Sequence, residues 1–305
     1  MRVDPLYVPN LVGSLDNVAA SEQTLSGELS SGSRVTQLSD DPAAAADNVV
    51  LTAQIAQDDT FSQTAATTES RLQVGDSTLA SVVSQLNSAI TLATEANNGT
   101  LSSSDVIGIS DQLVGIRDEV LSLANTSYLG TYLFSGSQGA TAPFTLNASA
   151  TPGVASTVTY NGDSKTTSLQ TPNGQSIQLN VPGNQIFSTG VAATDVFQTL
   201  NNLIADFQTG TPSATAVTDT DALTSSLNNV SQQRVILDSS ITSLQNAASN
   251  TQSESAQLLS AQTTLLQADY AKVSTQLSAA ETQQTALYDV IATLEKGSLF
   301  DYVAP

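Results

Sequence analysis

Leu223, Leu227, Val230, Arg234, Leu237, Ile241, Leu244, Ala248, Thr251, Ser255, Leu258, Gln262 and Leu265 recur at alternating spacings of four and three. The pattern then slips by one residue and resumes as Leu266, Tyr270, Val273, Leu277, Ala280, Gln284, Leu287, Ile291 and Leu294. Both runs lie in Ser213–Lys296, 84 residues that contain neither Gly nor Pro, the two residues that interrupt helices most strongly. This is a heptad seam. At 1.5 Å per residue it is enough for roughly 120 Å of helix. An apolar stripe along one side of so long a helix requires a partner.

A candidate partner lies near the other terminus. After Pro5 and Pro9, where a helix is expected to begin, Leu11, Leu15, Val18, Glu22, Leu25 and Leu29 follow spacings of 4, 3, 4, 3 and 4. Gly13 and Gly27 weaken this segment by about 1 kcal/mol each relative to Ala. A helix this short is marginal in water by itself, so pairing with the C-terminal seam, in the same chain or a neighbouring one, is the simplest expectation. Each seam carries a polar interruption, Glu22 in one and Gln284 in the other. Such residues weaken a coiled coil and set its register.

Between Leu29 and Ala43 stand Gly32, placed as a helix C-cap, and Pro42, placed as the first residue of a new helix. Ser39, Asp40 or Asp41 is then available to accept the free N–H groups of that helix. Arg34, one of only eight basic residues, is expected to pair with a nearby carboxylate. From Pro42 to about Tyr132 the apolar pattern predicts two long antiparallel helices with a turn near Gly99. Composition then changes. Residues 136–190 hold 7 of the 17 Gly and 4 of the 9 Pro, and alternating runs at Ser156–Tyr160 and Ser176–Val181 predict strands. Asn161-Gly162 and Pro172-Asn173-Gly174 are hairpin signals. Helical pattern returns at Val196–Phe207.

The expected fold is therefore mainly α with a small β insertion: an elongated rod of long antiparallel helices, with N- and C-terminal coiled-coil segments paired at one end. Its expected divisions are a terminal coiled-coil domain (1–45 with 266–305), a helical rod (46–135 with 191–265) and a β domain (136–190).

Composition removes several function classes. With no His and no Cys, the chain builds no Ser-His-Asp triad, thiol nucleophile, imidazole base or disulfide. The carboxylate pairs Asp40-Asp41, Asp58-Asp59 and Asp219/Asp221 read as helix or cap positions. The expectation is thus no enzyme, no cofactor and no metal. A formal charge of −20 argues against nucleic acid as a partner. No run of 18 apolar residues is present to insert into a membrane, and the N-terminus has no apolar stretch typical of a cleaved secretory signal. By these tests alone the address would be the cytoplasm.

Several stretches resemble a known family. Ser30-Ser-Gly-Ser-Arg34 followed by Ser39-Asp-Asp-Pro-Ala43 resembles the N-terminal signature shared by bacterial flagellins and flagellar junction proteins. The Pro after two acids points to the hook-associated protein 3 family, at the hook–filament junction. Leu123-Ala-Asn-Thr126, Gly130-Thr-Tyr-Leu-Phe-Ser-Gly136, Pro143-Phe144, Tyr160-Asn-Gly-Asp163, Asp269-Tyr270 and the closing Ser298-Leu-Phe-Asp-Tyr302 are similar to the same family. Ser33 stands where that family usually has a basic residue.

The resemblance implies a flagellin-like fold and a structural role in motility. It implies type III export without a cleaved signal peptide, which corrects the cytoplasmic reading to an extracellular, flagellar one. Implied partners are identical subunits in a ring, the first hook–filament junction protein, flagellin and an export chaperone. Leu11, Leu15, Val18, Leu25 and Leu29, with Leu277, Leu287, Ile291, Leu294, Leu299 and Tyr302, would form the assembly interface. Gly32, Arg34, Asp40, Asp41 and Pro42 would carry the signature. Rival readings are a short flagellin that forms the filament itself and a secreted rod-shaped adhesin.

Overall fold

A computed structural model describes residues 7–147 and 156–300, with side chains described from residue 9 to residue 293 in those spans. Among the described residues the chain is mainly helical, with three two-stranded antiparallel sheets. Helices α1 (Tyr7–Ser31), α2 (Pro42–Asn97) and α3 (Ser103–Ala124) precede the strands, and α4 (Gly183–Ile186), α5 (Val196–Phe207), α6 (Ala216–Leu266) and α7 (Tyr270–Phe300) follow. Its two compact units comprise residues 1–57 with 254–305, and residues 58–253. The boundary falls within α2 and α6.

The first unit is built on α1 and α7, which pack together. They run in opposite directions, since Ser33 faces Gln267 while Glu22 meets Gln284. All six N-terminal seam positions are half-buried or buried, and Val18 is the most enclosed. On α7, Val273 is buried and Leu277, Ala280, Gln284, Leu287 and Ile291 are half-buried. Helix α1 begins two residues before Pro9 rather than after it. Proline is tolerated there because first-turn N–H groups have no intrahelical acceptor.

The second unit holds a continuous apolar core running from Phe61 to Leu244 in sequence. Helix α3 packs on α5. It starts with a capping box: Ser102 Oγ accepts from the Asp105 amide and Asp105 Oδ2 accepts from the Ser102 amide. The seam's polar position Arg234 finds Asp76, with Nε–Oδ1 2.6 Å and Nη2–Oδ2 3.1 Å.

Two expectations about the middle of the chain need correction. Helix α3 ends at Ala124, not near Tyr132, and β1 (Ser127–Tyr128) and β2 (Thr131–Tyr132) form a tight hairpin. Leu129 and Gly130, both at positive φ, make its turn. Asn161-Gly162 is not a hairpin turn: β4 (Thr157–Tyr160) pairs back to β3 (Phe144–Asn147). Gly162 is required because the Tyr160 ring and the Ser135 carbonyl occupy the place of a Cβ. The second turn signal is a real hairpin, since β5 (Ser168–Gln170) pairs with β6 (Ser176–Gln178) across Pro172-Asn173-Gly174. Strands β3 and β4 pack on the helices of this unit, β3 on α3 and β4 on α5.

Family-like residues in this region serve as fasteners. Asn125, the C-cap of α3, ties that helix end to β3, its Nδ2 donating to the Phe144 carbonyl and its Oδ1 accepting from the Phe144 amide, both at 2.9 Å. Tyr160 Oη donates within reach of the Phe134 and Asp163 carbonyls. Phe144 packs at 5.5 Å, edge-on, against Phe187, which meets Phe134 in the same way at 5.4 Å.

A candidate assembly site at the helix junction

The signature residues of the first unit meet where α1 ends, α2 begins and α6 gives way to α7. Helix α1 stops because Gly32 takes φ +71, the left-handed conformation of a C-cap, with its amide donating to the Glu28 carbonyl. A side chain is excluded there as well, since a Cβ would stand 2.6 Å from Tyr270 Oη. Ser33 then forms an antiparallel bridge with Gln267. The Arg34 amide donates to the Leu266 carbonyl at 2.8 Å, and the Ala268 amide donates to the Gly32 carbonyl at 2.9 Å. Ser33 Oγ adds a bond to the Leu266 carbonyl.

Arg34 ties the other two helix ends together. Its Nε donates to the Leu265 carbonyl in the last turn of α6, and its Nη1 lies 2.8 Å from Asp41 Oδ2. A cation at the C-terminal carbonyls of a helix also faces the negative end of its dipole. Asp41 is the cap of α2: its Oδ1 accepts from the Ala44 amide. That bond, and then Arg34, hold the Asp41 carboxyl below the usual carboxylate range. Pro42 is the first residue of α2, as the sequence predicts.

Asp40 has a different task from Asp41. Its Oδ2 gathers the amides of Gln37 and Thr36 and the Thr36 hydroxyl, closing the turn that leads to α2. Those bonds, Gln37 first, lower its pKa. Both acids are thus occupied, Asp41 by the cap of α2 and Asp40 by the turn before it. Among the described residues no group of three or more His, Cys, Asp or Glu could hold a metal ion.

The break between α6 and α7, at Gln267-Ala268-Asp269, coincides with the one-residue slip in the seam. Asp269 opens α7 by accepting from the Ala271 and Lys272 amides. Sequence reasoning gave no role to the Leu265 and Leu266 carbonyls or to the Ser33 hydroxyl. The slip was the available signal. Tyr270, a seam position, is 52% exposed, with its hydroxyl beside Gly32 at the end of α1.

Along the α1–α7 pair, the two polar interruptions meet: Gln284 Nε2 donates to Glu22 Oε2 at 2.9 Å. The neighbouring seam residues Leu11, Leu15, Leu25, Leu29, Leu277, Leu287 and Ile291 all lie half-buried on the facing sides. Leu294 and Leu299 fall within α7, but their side chains lie outside the described set, and Tyr302 lies outside the described residues altogether.

Comparison with known proteins agrees with this arrangement. Residues 10–139 match the bacterial flagellin N-terminal helical region. The flagellar hook-associated protein 3 of Salmonella typhimurium is 32% identical over 60% of this chain and 55% of its own length. That of Escherichia coli is 29% identical over 79% of each chain. The chain therefore spans about half the length of one curated relative and about four fifths of the other. A putative flagellar hook-associated protein from Vibrio parahaemolyticus shares the fold, with a TM-score of 0.64 at 22% identity over 74% of this chain and 99% of that structure. The signature residues are joined in one clamp, and the chain is similar to flagellar hook-associated protein 3 relatives and, over residues 10–139, to the bacterial flagellin N-terminal helical region.

Proposed function

We propose that this chain is a structural component of the bacterial flagellum, an adaptor that assembles with copies of itself as a ring at the hook–filament junction. There it would link the first junction protein to the flagellin filament, outside the cell, after type III export with the help of a chaperone. The observation that carries the reading is the incomplete burial of the α1–α7 pair. Two helices alone cover only one side of each seam. Leu11, Leu15, Leu25 and Leu29 on α1 and Leu277, Leu287 and Ile291 on α7 keep part of their surface open.

Burying such a side chain fully is worth about 1.5–3 kcal/mol. Repeated along both helices, that gain favours a neighbouring subunit, offset in part by the ordering it imposes. Val18, Leu294, Leu299 and Tyr302 extend the proposed interface, and Gly32, Arg34, Asp40, Asp41 and Pro42 hold the two helices in place for it. The curated relatives are named for the hook, and this supports the address. No helix among the described residues is long and apolar enough to cross a membrane.

The test is a deletion strain viewed by electron microscopy, complemented with wild type or with Leu287→Asp/Ile291→Asp. Hooks without filaments, with unpolymerised flagellin in the medium, are expected for the deletion and for the double variant. Normal filaments in the deletion strain would overturn the junction role in favour of an accessory flagellin or an adhesin.

A further inference from the structure

The break between α6 and α7 is held jointly by the Asp269 cap of α7 and by bonds from the N-terminal segment. Ser213–Lys296 has no Gly or Pro, so nothing in its sequence forbids one continuous helix through Gln267-Ala268-Asp269. What stands at the break is a set of bonds to the N-terminal segment. The Leu266 carbonyl accepts from the Arg34 amide and Ser33 Oγ, and the Leu265 carbonyl accepts from Arg34 Nε. In a continuous helix those two carbonyls would accept from the amides of Tyr270 and Asp269. The Ala268 amide is a single donor that must choose: it now serves the Gly32 carbonyl, and in a helix it would serve Thr264. Gln267 still keeps its helical bond to Thr263.

We propose that this joint is a two-state element: broken when the Gly32–Arg34 segment is docked, and one uninterrupted α6–α7 helix when it is not. The two states exchange similar numbers of hydrogen bonds, which is the condition for bistability. The seam slip supplies the coupling. In a continuous helix one extra residue rotates the Val273–Ile291 face by about 100° relative to the Leu258–Leu265 face. The break resets that phase, so that α7 presents its seam to α1. Docking of α1 and breaking of the helix are therefore one event, whose trigger is the clamp and whose readout is the direction of the α7 face.

The experiment follows Ala268 by 13C NMR in the full chain with labelled alanine, the signal being assigned by its loss in Ala268→Ser. Wild type should show non-helical Cα and Cβ shifts. Gly32→Ala/Arg34→Ala removes the positive-φ cap and the guanidinium, and Ala268 should move to helical values, Cα downfield and Cβ upfield. Adding Tyr270→Pro should reverse the move, because proline fits the first position of α7 but not the interior of a helix. Buried Ala89, Ala93 and Ala124 of the second unit report whether that unit stays folded. If the double variant is too unstable, Arg34→Ala alone should give a partial shift in the same direction. Unchanged shifts, random-coil values at Ala268, or a helical Ala268 that persists after Tyr270→Pro is added would each overturn the proposal.

Discussion

Glycines in this chain divide into those with a structural reason and those without one, and substitutions should separate them. At Gly183 a Cβ would stand 2.8 Å from the Phe134 carbonyl oxygen and from the Phe144 ring. Neither neighbour is a flexible tip, so Gly183→Ala should cost about 1–3 kcal/mol in urea unfolding. Gly108 and Gly115 sit inside α3 with nothing within 4 Å of a Cβ. Gly108→Ala and Gly115→Ala should each stabilise the chain by up to about 1 kcal/mol. Carboxylates divide in the same way, by sign. Amide donors hold Asp40 and Asp41 below their ordinary range, and Ser137 does so for Asp163. A lowered folded pKa means that the stabilisation is complete above about pH 4 and is lost as pH falls through the folded value. Asp40→Asn and Asp41→Asn should therefore weaken the chain at pH 7 and flatten its acid unfolding. Asp219 is raised, by burial first and then by neighbouring Asp206, against the bond from Asn202. Its sign is opposite: the ionised form is disfavoured in the fold, so Asp219→Asn should stabilise at pH 7, with the gain vanishing below the unfolded pKa. A gain that survives in acid would contradict this cause.

Elements show which features were legible in the sequence. The heptad seams were, because a helix repeats its face every three or four residues whatever it packs against. All thirteen positions from Leu223 to Leu265 are buried or half-buried, and polar Arg234 and Gln262 meet polar partners on α2. Gly32 was legible as a C-cap and Pro42 as a helix start for a local reason: each answers the chain's own geometry. The β5–β6 hairpin was legible from its turn, but the β3–β4 pairing was not, since Asn161-Gly162, which marks a close approach to the Tyr160 ring and the Ser135 carbonyl, looks the same as a hairpin turn. The assignment of partners across the clamp was invisible too, because carbonyls carry no sequence signal. Pairing of Glu22 with Gln284 was foreshadowed by their matching roles as interruptions, though only the structure supplies the contact. It also leaves Glu22 Oε1 buried without a described hydrogen-bond donor, a cost consistent with a register device. Glu22→Leu/Gln284→Leu should slow amide exchange in α1 and α7 by relieving that cost. Disulfide trapping, which the absence of cysteine makes clean, should then find α1–α7 pairings one heptad away from the register set by Glu22–Gln284, which wild type lacks. A single trapped register in the double variant would remove the specificity argument.

At the scale of the whole molecule the two units differ in the means that hold them. The main apolar cluster draws only on residues from Phe61 to Leu244, including Phe144, Phe187, Phe197 and Phe207 as fully enclosed rings. In the first unit the buried apolar residues are Val18, Ala44, Ala268 and Val273 among those described. Stability follows the apolar surface removed from water, so local opening should start in the first unit. Hydrogen exchange of the free protein should show residues 9–31 and 270–293 exchanging far faster than 72–93, 106–124 and 196–207. Limited proteolysis should accordingly leave a resistant core close to residues 58–253. Urea should give two transitions, with the earlier lost in that core. Assembly would reverse the order for the terminal helices alone: a subunit surface covering Leu15, Leu25, Leu287 and Ile291 removes the water that lets them open. Protection of α1 and α7 should then rise sharply in assembled protein, while that of α5 stays as it was. One cooperative transition for the free chain, or equal protection gains in both units on assembly, would mean that the terminal pair is already as well buried as the core, and it would need no neighbour.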